Sequence, residues 1–276
     1  MNMTCRMGNQ FFQYWAAKWI ATQLNRPLEM YIHEHFQIDK NIYPNMGEFT
    51  HSERYHIPYT DKSQGFYTHT NAIEASNYNI KEIVEYHKDK TMPILLHFHV
   101  EDYSIMKEHE VWIKHLFARS PEYPLNCNDS IVIHLRLGDC SNENINVHND
   151  YTKFALMVSE IHKLPIIIVT EELNHYCTQS LYNTLLEAGN SVSIANNQLD
   201  EYQKDFDTIA SAKVIVATNS TFSWWPSFLN EFNPNVYIAL SQRQPQPQRN
   251  ESLFKRASPY GWKLWDMDNN VWINYI

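Results

Sequence analysis

From residue 130 onward, short apolar runs alternate with segments of helical period. "SIVIHLRL" (130–137), "LPIIIVT" (164–170), "SVSIA" (191–195), "KVIVAT" (213–218) and "NVYIAL" (235–240) read as strands. Between them, "YTKFALMVSEIHK" (151–163), "EELNHYCTQSLYNTLLEAG" (171–189), "DEYQKDFDTIASA" (200–212) and "TFSWWPSFLNE" (221–231) read as helices, with Gly189 a stop. Strands that are apolar throughout are buried on both faces. Their alternation with helices predicts a parallel sheet covered on both sides.

The first half is less regular. Residues 9–24 carry a helical period that sets Phe12, Trp15, Ala16, Trp19, Ile20 and Leu24 on one face. Gly8 and Asn9 are expected in a loop that opens this helix. "MPILLHFHV" (92–100) reads as a buried strand and "HEVWIKHLF" (109–117) as a helix. Residues 33–90 give no clear period. These patterns divide the chain into an N-terminal domain, 1–124, and a C-terminal domain, 125–276.

Composition narrows the classes. With 276 residues and 43% hydrophobic content, the chain can bury one large core or two small ones. A net charge of −9 argues against a general nucleic-acid binder, which needs a basic face. Aromatic residues reach 14%, which suits a sugar site and a core equally. Cys5, Cys127, Cys140 and Cys177 show no zinc-ligand spacing and read as free thiols of a reducing compartment. Gln10, Gln13 and Lys18 interrupt the N-terminal apolar stretch, so no signal peptide is read there, and no run is long enough to span a membrane. A soluble, cytoplasmic protein of bacterial or viral type is therefore expected. The sequons at Asn2, Asn128, Asn219 and Asn250 are read as chance matches. Oligomeric state is not legible.

Two strand ends carry candidate chemistry. In "HLRLGD" (134–139), Arg136 stands in an apolar run. A guanidinium there needs an anion, either a ligand phosphate or carboxylate or a structural partner such as Asp139. Strand periodicity puts His134 and Arg136 on the same side. In "ATNSTFSWWPSFL" (217–229), Asn219, Ser220 and Thr221 end a strand and open a helix. That turn is either an ordinary helix cap or a phosphate cradle at a helix N-terminus. Pro226 is placed near the helix start. Two anion-friendly strand ends in one sheet suggest a diphosphate, yet neither a dinucleotide fingerprint nor a P-loop is present.

Taken in order, "RMGNQFFQYWAAKWIATQLNR", "HLRLGD" and "NSTFSWWPSFLN" resemble three motifs of the α-1,2-fucosyltransferase family, and "LHFHVEDYSIMKEHEVWIKHLF" is similar to a further segment of it. The resemblance spans almost the whole chain. It implies a GT-B fold, two Rossmann-like domains with parallel sheets facing a cleft, with an acceptor-side N-terminal domain and a nucleotide-sugar-binding C-terminal domain. It implies inverting transfer of L-fucose from GDP-fucose to a glycan hydroxyl, with no metal or other cofactor. By the same resemblance Arg136 meets the donor β-phosphate, His134 lies by the guanosine, and Asn219, Ser220 and Thr221, followed by Phe222, form the diphosphate turn. Asp205 matches an acidic residue before that turn. Gly8, Asn9 and Gln10 face the cleft, and His97 and His99 fall on the acceptor side. Asp139 is the first choice of general base and Glu143 the second, and fucosyl transfer of this kind can also proceed without a strong base.

The departures are specific. The family's second motif arginine is Leu137 here and its tyrosine is Cys140. The segment after "IAL" is replaced by the Pro/Gln-rich "SQRQPQPQRNES" (241–252). A transferase for another sugar nucleotide, such as a UDP- or GDP-pentose, and an inactive nucleotide- or sugar-binding relative are the alternatives. "DFD" (205–207), "DMD" (266–268), "HEH" (33–35) and "HFH" (97–99) are short patterns that could hold a metal and are read mainly as structural or solvent-facing.

Overall fold

In the computed structural model of the chain, residues 2–3, 7–28, 31–32, 37–47, 50–51, 67–69, 80–90, 94–96, 103–137, 145–195, 201–218, 220–240, 260–267 and 269–273 are described. The chain divides into two units, Met1–Pro124 and Leu125–Ile276.

The first unit is built on helix α1, Met7–Gln23. Sequence periodicity predicts one apolar face, but burial runs nearly all round, from Met7, Phe11 and Phe12 to Tyr14, Trp15, Ala17 and Ile20. Such a helix is the centre of its unit rather than a surface element. Phe11 packs edge-on against Tyr43 and Phe117 at centroid distances of 5.4 and 4.8 Å, and Phe12 against Tyr103 at 5.8 Å. The Tyr14 hydroxyl donates to the Met46 carbonyl. Gly8 and Asn9 lie inside the first turns of α1, not in a loop before it. Asn25 closes the helix end at φ +51°, ahead of Pro27. Strands β1 (Asn2–Met3), β2 (Tyr31–Ile32) and β3 (Thr50–His51) form a three-stranded parallel sheet in that order. Strands β4 (Tyr67–His69) and β5 (Ile94–Leu96) form a separate parallel pair. Helices α2 (Ile80–His87), α3 (Tyr103–Glu108) and α4 (Glu110–Leu116) complete the described part of this unit.

The second unit holds a seven-stranded, mostly parallel sheet. Its strands are β6 (Asn128–His134), β7 (Ile166–Val169), β8 (Val192–Ile194), β9 (Ala212–Ala217), β10 (Asn235–Leu240), β11 (Lys263–Asp266) and β12 (Val271–Ile273). Their order across the sheet is β12-β11-β10-β9-β6-β7-β8, with only β12 antiparallel to its neighbour among these pairs. Helices α5 (Ile145–His162), α6 (Tyr176–Glu187), α7 (Tyr202–Ala210) and α8 (Thr221–Leu229) connect the first five strands. The chain moves outward from β6 to β7 and β8, then crosses back to place β9 on the other side of β6. With right-handed crossovers, that reversal puts α5 and α6 on one face and α7 and α8 on the other.

The α5/α6 face is filled by Ile131, Ile133, Leu135 and Leu137 against Tyr151, Phe154, Val158, Leu181 and Leu185. By alternation, Val132, His134 and Arg136 belong to the α7/α8 face. There Trp224 stacks on Phe228 at 4.9 Å and meets Trp225, Tyr260 and Trp262. Gly189, at φ +85°, ends α6 as expected, and its N–H donates to the Leu186 carbonyl at 2.9 Å.

Several boundaries differ from expectation. α6 begins at Tyr176 rather than near 171, because Thr170 and Glu172 form a turn and His175 takes the cap, accepting from the Cys177 N–H at 3.2 Å. α5 starts at Ile145, six residues before the period becomes visible. Pro226 is the sixth of nine residues in α8, so it removes an interior hydrogen bond instead of sitting in the first turn. Strands β11 and β12 were not expected. Among the described residues no helix is long and apolar enough to cross a membrane.

Candidate functional site at the strand switch point

Strands β6 and β9 are neighbours, in register at Ile133↔Val216. The chain leaves β6 for α5 on one face and leaves β9 for α8 on the other. This is the topological switch point of the sheet, where the two exits open a crevice beyond the carboxyl ends of the strands. The two motifs singled out in the sequence stand at these two exits. "HLR" closes β6, and the turn that includes Ser220 closes β9.

His134 is the last residue of β6. It is 7% exposed, and its Nδ1 has no hydrogen-bond partner. Its ring lies 5.5 Å from that of Phe222 in the first turn of α8, so the two motifs touch. Phe222 in turn meets Phe206 of α7 edge-on at 6.1 Å. Burial pushes the His134 pKa down to about 3, with the nearby Arg136 charge adding to the effect. The imidazole is therefore neutral at ordinary pH. Arg136, two residues past the strand, is half-buried, while Leu135 and Leu137 on either side sit in the core.

Ser220 is the N-cap of α8. Its backbone is extended, at φ −124° and ψ 130°, and its hydroxyl accepts the Phe222 N–H at 3.3 Å. Its carbonyl accepts the Trp224 N–H at 3.1 Å and the Ser223 hydroxyl at 3.2 Å. The capping half of the expectation for this turn is thus met directly, and the Ser220 O–H proton can still donate. Thr221 is half-buried at the first helical position. Thr218, at the end of β9, holds a buried hydroxyl with no partner, a feature the sequence reading passed over although it stands in the same hydroxyl-rich run. Two orphaned polar side chains at one crevice is the arrangement expected where a polar ligand completes the bonding.

A further residue ties the two strand ends together. The Tyr151 hydroxyl, on α5, lies 3.1 Å from the His134 carbonyl and 3.3 Å from the Val216 carbonyl. Tyr151 is fully enclosed, and burial raises its hydroxyl pKa. In the sequence it looks like any aromatic on a helical face.

Asp205 is half-buried in the first turn of α7. Gly8 and Gln10 are buried and Asn9 half-buried in α1. Gln10 is 1% exposed, and its Oε1 accepts the Gln37 N–H at 2.9 Å while Gln37 Oε1 accepts the Met7 N–H at 2.7 Å. This reciprocal pair anchors the start of α1, a structural tie not foreseen for Gln10. His97, His99, Asp139, Glu143 and Asn219 lie outside the described residues, as do the "HEH" pattern and the 241–252 segment.

Both D-x-D patterns carry structural bonds. Asp207 accepts from the Gln203 amide at 2.6 Å, and Asp266 accepts the Asn269 N–H and amide at 3.1 and 2.8 Å, which makes a tight turn. Among the described residues no three His, Cys, Asp or Glu side chains gather as a metal site would require. Cys127 and Cys177 are free thiols.

The second unit is therefore an α/β unit of Rossmann-like type, with a guanidinium, a neutral histidine and a capped helix N-terminus gathered at its switch point. No protein-family model, curated protein or solved structure matches the chain.

Proposed function

We propose that the chain is an inverting glycosyltransferase of the GT-B type, whose Leu125–Ile276 unit holds the diphosphate of a sugar nucleotide at the β6/β9 switch point. The observation that carries this reading is the meeting of His134 and Phe222, which joins the "HLR" and "NSTF" motifs at one crevice. These are the motifs in which the sequence resembles α-1,2-fucosyltransferases. GDP-fucose is accordingly the donor we favour, with a glycan hydroxyl as acceptor.

In this reading the acceptor oxygen attacks the anomeric carbon from the face opposite the diphosphate. The bond from that carbon to the phosphate oxygen breaks, and the departing diphosphate takes the electron pair. Arg136 and the first turn of α8 stabilise the charge that develops there. Asp139 or Glu143 takes the acceptor proton. His134 is neutral and so offers a hydrogen bond without adding charge.

One observation favours a related donor as the second reading. Leu137 stands where the family carries a second arginine, and it is fully buried in the core. The motif thus lacks the family's second guanidinium, which suits a transferase for another sugar nucleotide.

Calorimetric titration of GDP, UDP and their sugar conjugates tests the reading, together with turnover of the bound donor. Selective binding of one nucleoside diphosphate is expected. Arg136→Ala should lower turnover by about a hundredfold or more while the protein stays folded. Loss of folding with donor binding intact in the folded fraction would instead make Arg136 a structural residue. No binding of any nucleoside diphosphate to the intact protein would end the proposal.

A further inference from the structure

We infer that Tyr151 is a positioning residue of this site, one that sets the gap between the two motif-bearing strand ends through its single hydroxyl. The inference rests on the proposed diphosphate site. Up to Ile133↔Val216, the β6–β9 ladder holds the two strands together. Past that point they part. Beyond it β6 keeps its ladder with β7, the Leu135 N–H donating to the Val169 carbonyl at 2.9 Å, while β9 stays in register with β10 to Ala217↔Ile238. Arg136 is carried off on one side of the split, and the Ser220 cap on the other.

The Tyr151 hydroxyl sits at the fork. It shares one proton between the last carbonyl of β6, on His134, and the carbonyl of Val216 one residue before the end of β9. The bridge is buried, so no water competes for either carbonyl. Tyr151 packs among Phe154, Ile133 and Val216 on the α5 face of the sheet, behind the crevice. It thus acts through the backbone of both strands and need not touch a ligand. A diphosphate gripped at once by Arg136 and by the first turn of α8 feels the width of this gap. A nucleoside, which lacks the phosphates, does not.

The test compares wild type with Tyr151→Phe, which removes the hydroxyl and keeps the ring. GDP, UDP and the corresponding nucleosides are titrated into both by calorimetry, and folding is followed by circular dichroism. The expected result is an affinity for the preferred nucleoside diphosphate about tenfold weaker in the variant, with nucleoside affinity unchanged. Arg136→Ala and Ser220→Ala should be coupled in the wild-type background and additive in the Tyr151→Phe background. Replacing Tyr151 with 4-aminophenylalanine, which restores a donor, should recover most of the lost affinity. A residue that only stabilises the fold would lower the melting temperature and leave the diphosphate-to-nucleoside ratio and the coupling as they are, and that outcome overturns the inference. If Tyr151→Phe does not fold in plain buffer, both proteins are titrated in sucrose, which favours the compact state. Failure of wild type to bind any nucleoside diphosphate would sink the site reading itself and this inference with it, whereas binding of equal strength by wild type and Tyr151→Phe sinks the inference alone.

Discussion

The neutral state of His134 has a measurable cost in acid. Its imidazole is 7% exposed and held at a pKa of about 3, against an ordinary value of 6.5. Above pH 6.5 the imidazole is neutral both in the folded protein and in the unfolded chain, and the full stability is present. Between pH 6.5 and about 3 the unfolded chain binds a proton at this position that the folded protein refuses. Stability therefore falls as pH falls, by about 1.4 kcal/mol for each pH unit once the unfolded imidazole is largely protonated. At pH 4.5 the loss from this one group is on the order of 2–3 kcal/mol, a large part of the roughly 5–15 kcal/mol typical of a domain.

His134→Gln keeps a neutral polar side chain and removes the titration. Hydrogen exchange at the amides of β6, read as protection factors from pH 6.5 to 4.5, reports the stability of the second unit even if the two units open separately. Other groups titrate in the same range. Burial, with Lys263 nearby, lowers the pKa of His162, and ion pairing with Lys81 lowers that of Glu108. Both are present in both proteins, so they cancel in the difference. The wild type should lose stability relative to His134→Gln along this acid limb. Parallel curves would refute the buried neutral imidazole. They would mean that His134 takes up a proton in the folded state, and hence that an acceptor or water reaches its Nδ1.

Two further outcomes separate packing from binding in α8. Ser220→Ala removes the side chain that accepts the Phe222 N–H, so it should cost about 1 kcal/mol of stability in urea unfolding. If the turn also holds phosphate, the same variant weakens nucleoside diphosphate binding more than nucleoside binding in calorimetry. Trp225 is fully buried against Trp224 and Phe228, so Trp225→Ala should cost about 3–5 kcal/mol by the same unfolding assay. In whatever fraction remains folded, its effect on nucleotide affinity should be small.

How much of this was legible depends on the range over which each feature is encoded. The strands β6, β7, β9 and β10 are local signals, because a strand buried on both faces must be apolar at consecutive positions. β11 escaped notice because "KLWD" has only two apolar residues between charged ends. Its burial comes from Trp265 and Trp272 packing at 5.0 Å across the β11–β12 pair and on to Phe154 of α5, a contact made by chain return and not by sequence period. The tie made by Gln10 is hidden for a related reason. The resemblance places Gln10 toward the cleft, whereas the bond its Oε1 accepts from the Gln37 N–H joins residues far apart in sequence and follows from no local period.

The site divides in the same way. Arg136 and Ser220 were visible because each violates its surroundings, one as a charge in an apolar run, the other as a capping hydroxyl at the end of a strand. That the strand ends carrying them are neighbours follows from strand order, since β6 and β9 come together only when the chain crosses back over the sheet. The sequence could suggest that crossing through the doubly wound pattern, but not which strand would receive it. Tyr151 belongs wholly to this second kind of information. It breaks no local rule, and its hydroxyl has two acceptors only because two strands far apart in sequence end beside each other. Residues that contact a ligand tend to disturb a local pattern, whereas residues that hold the contacting groups at a distance from one another can satisfy every local pattern. The second class has to be sought where strands part, among buried donors shared between the separating backbones.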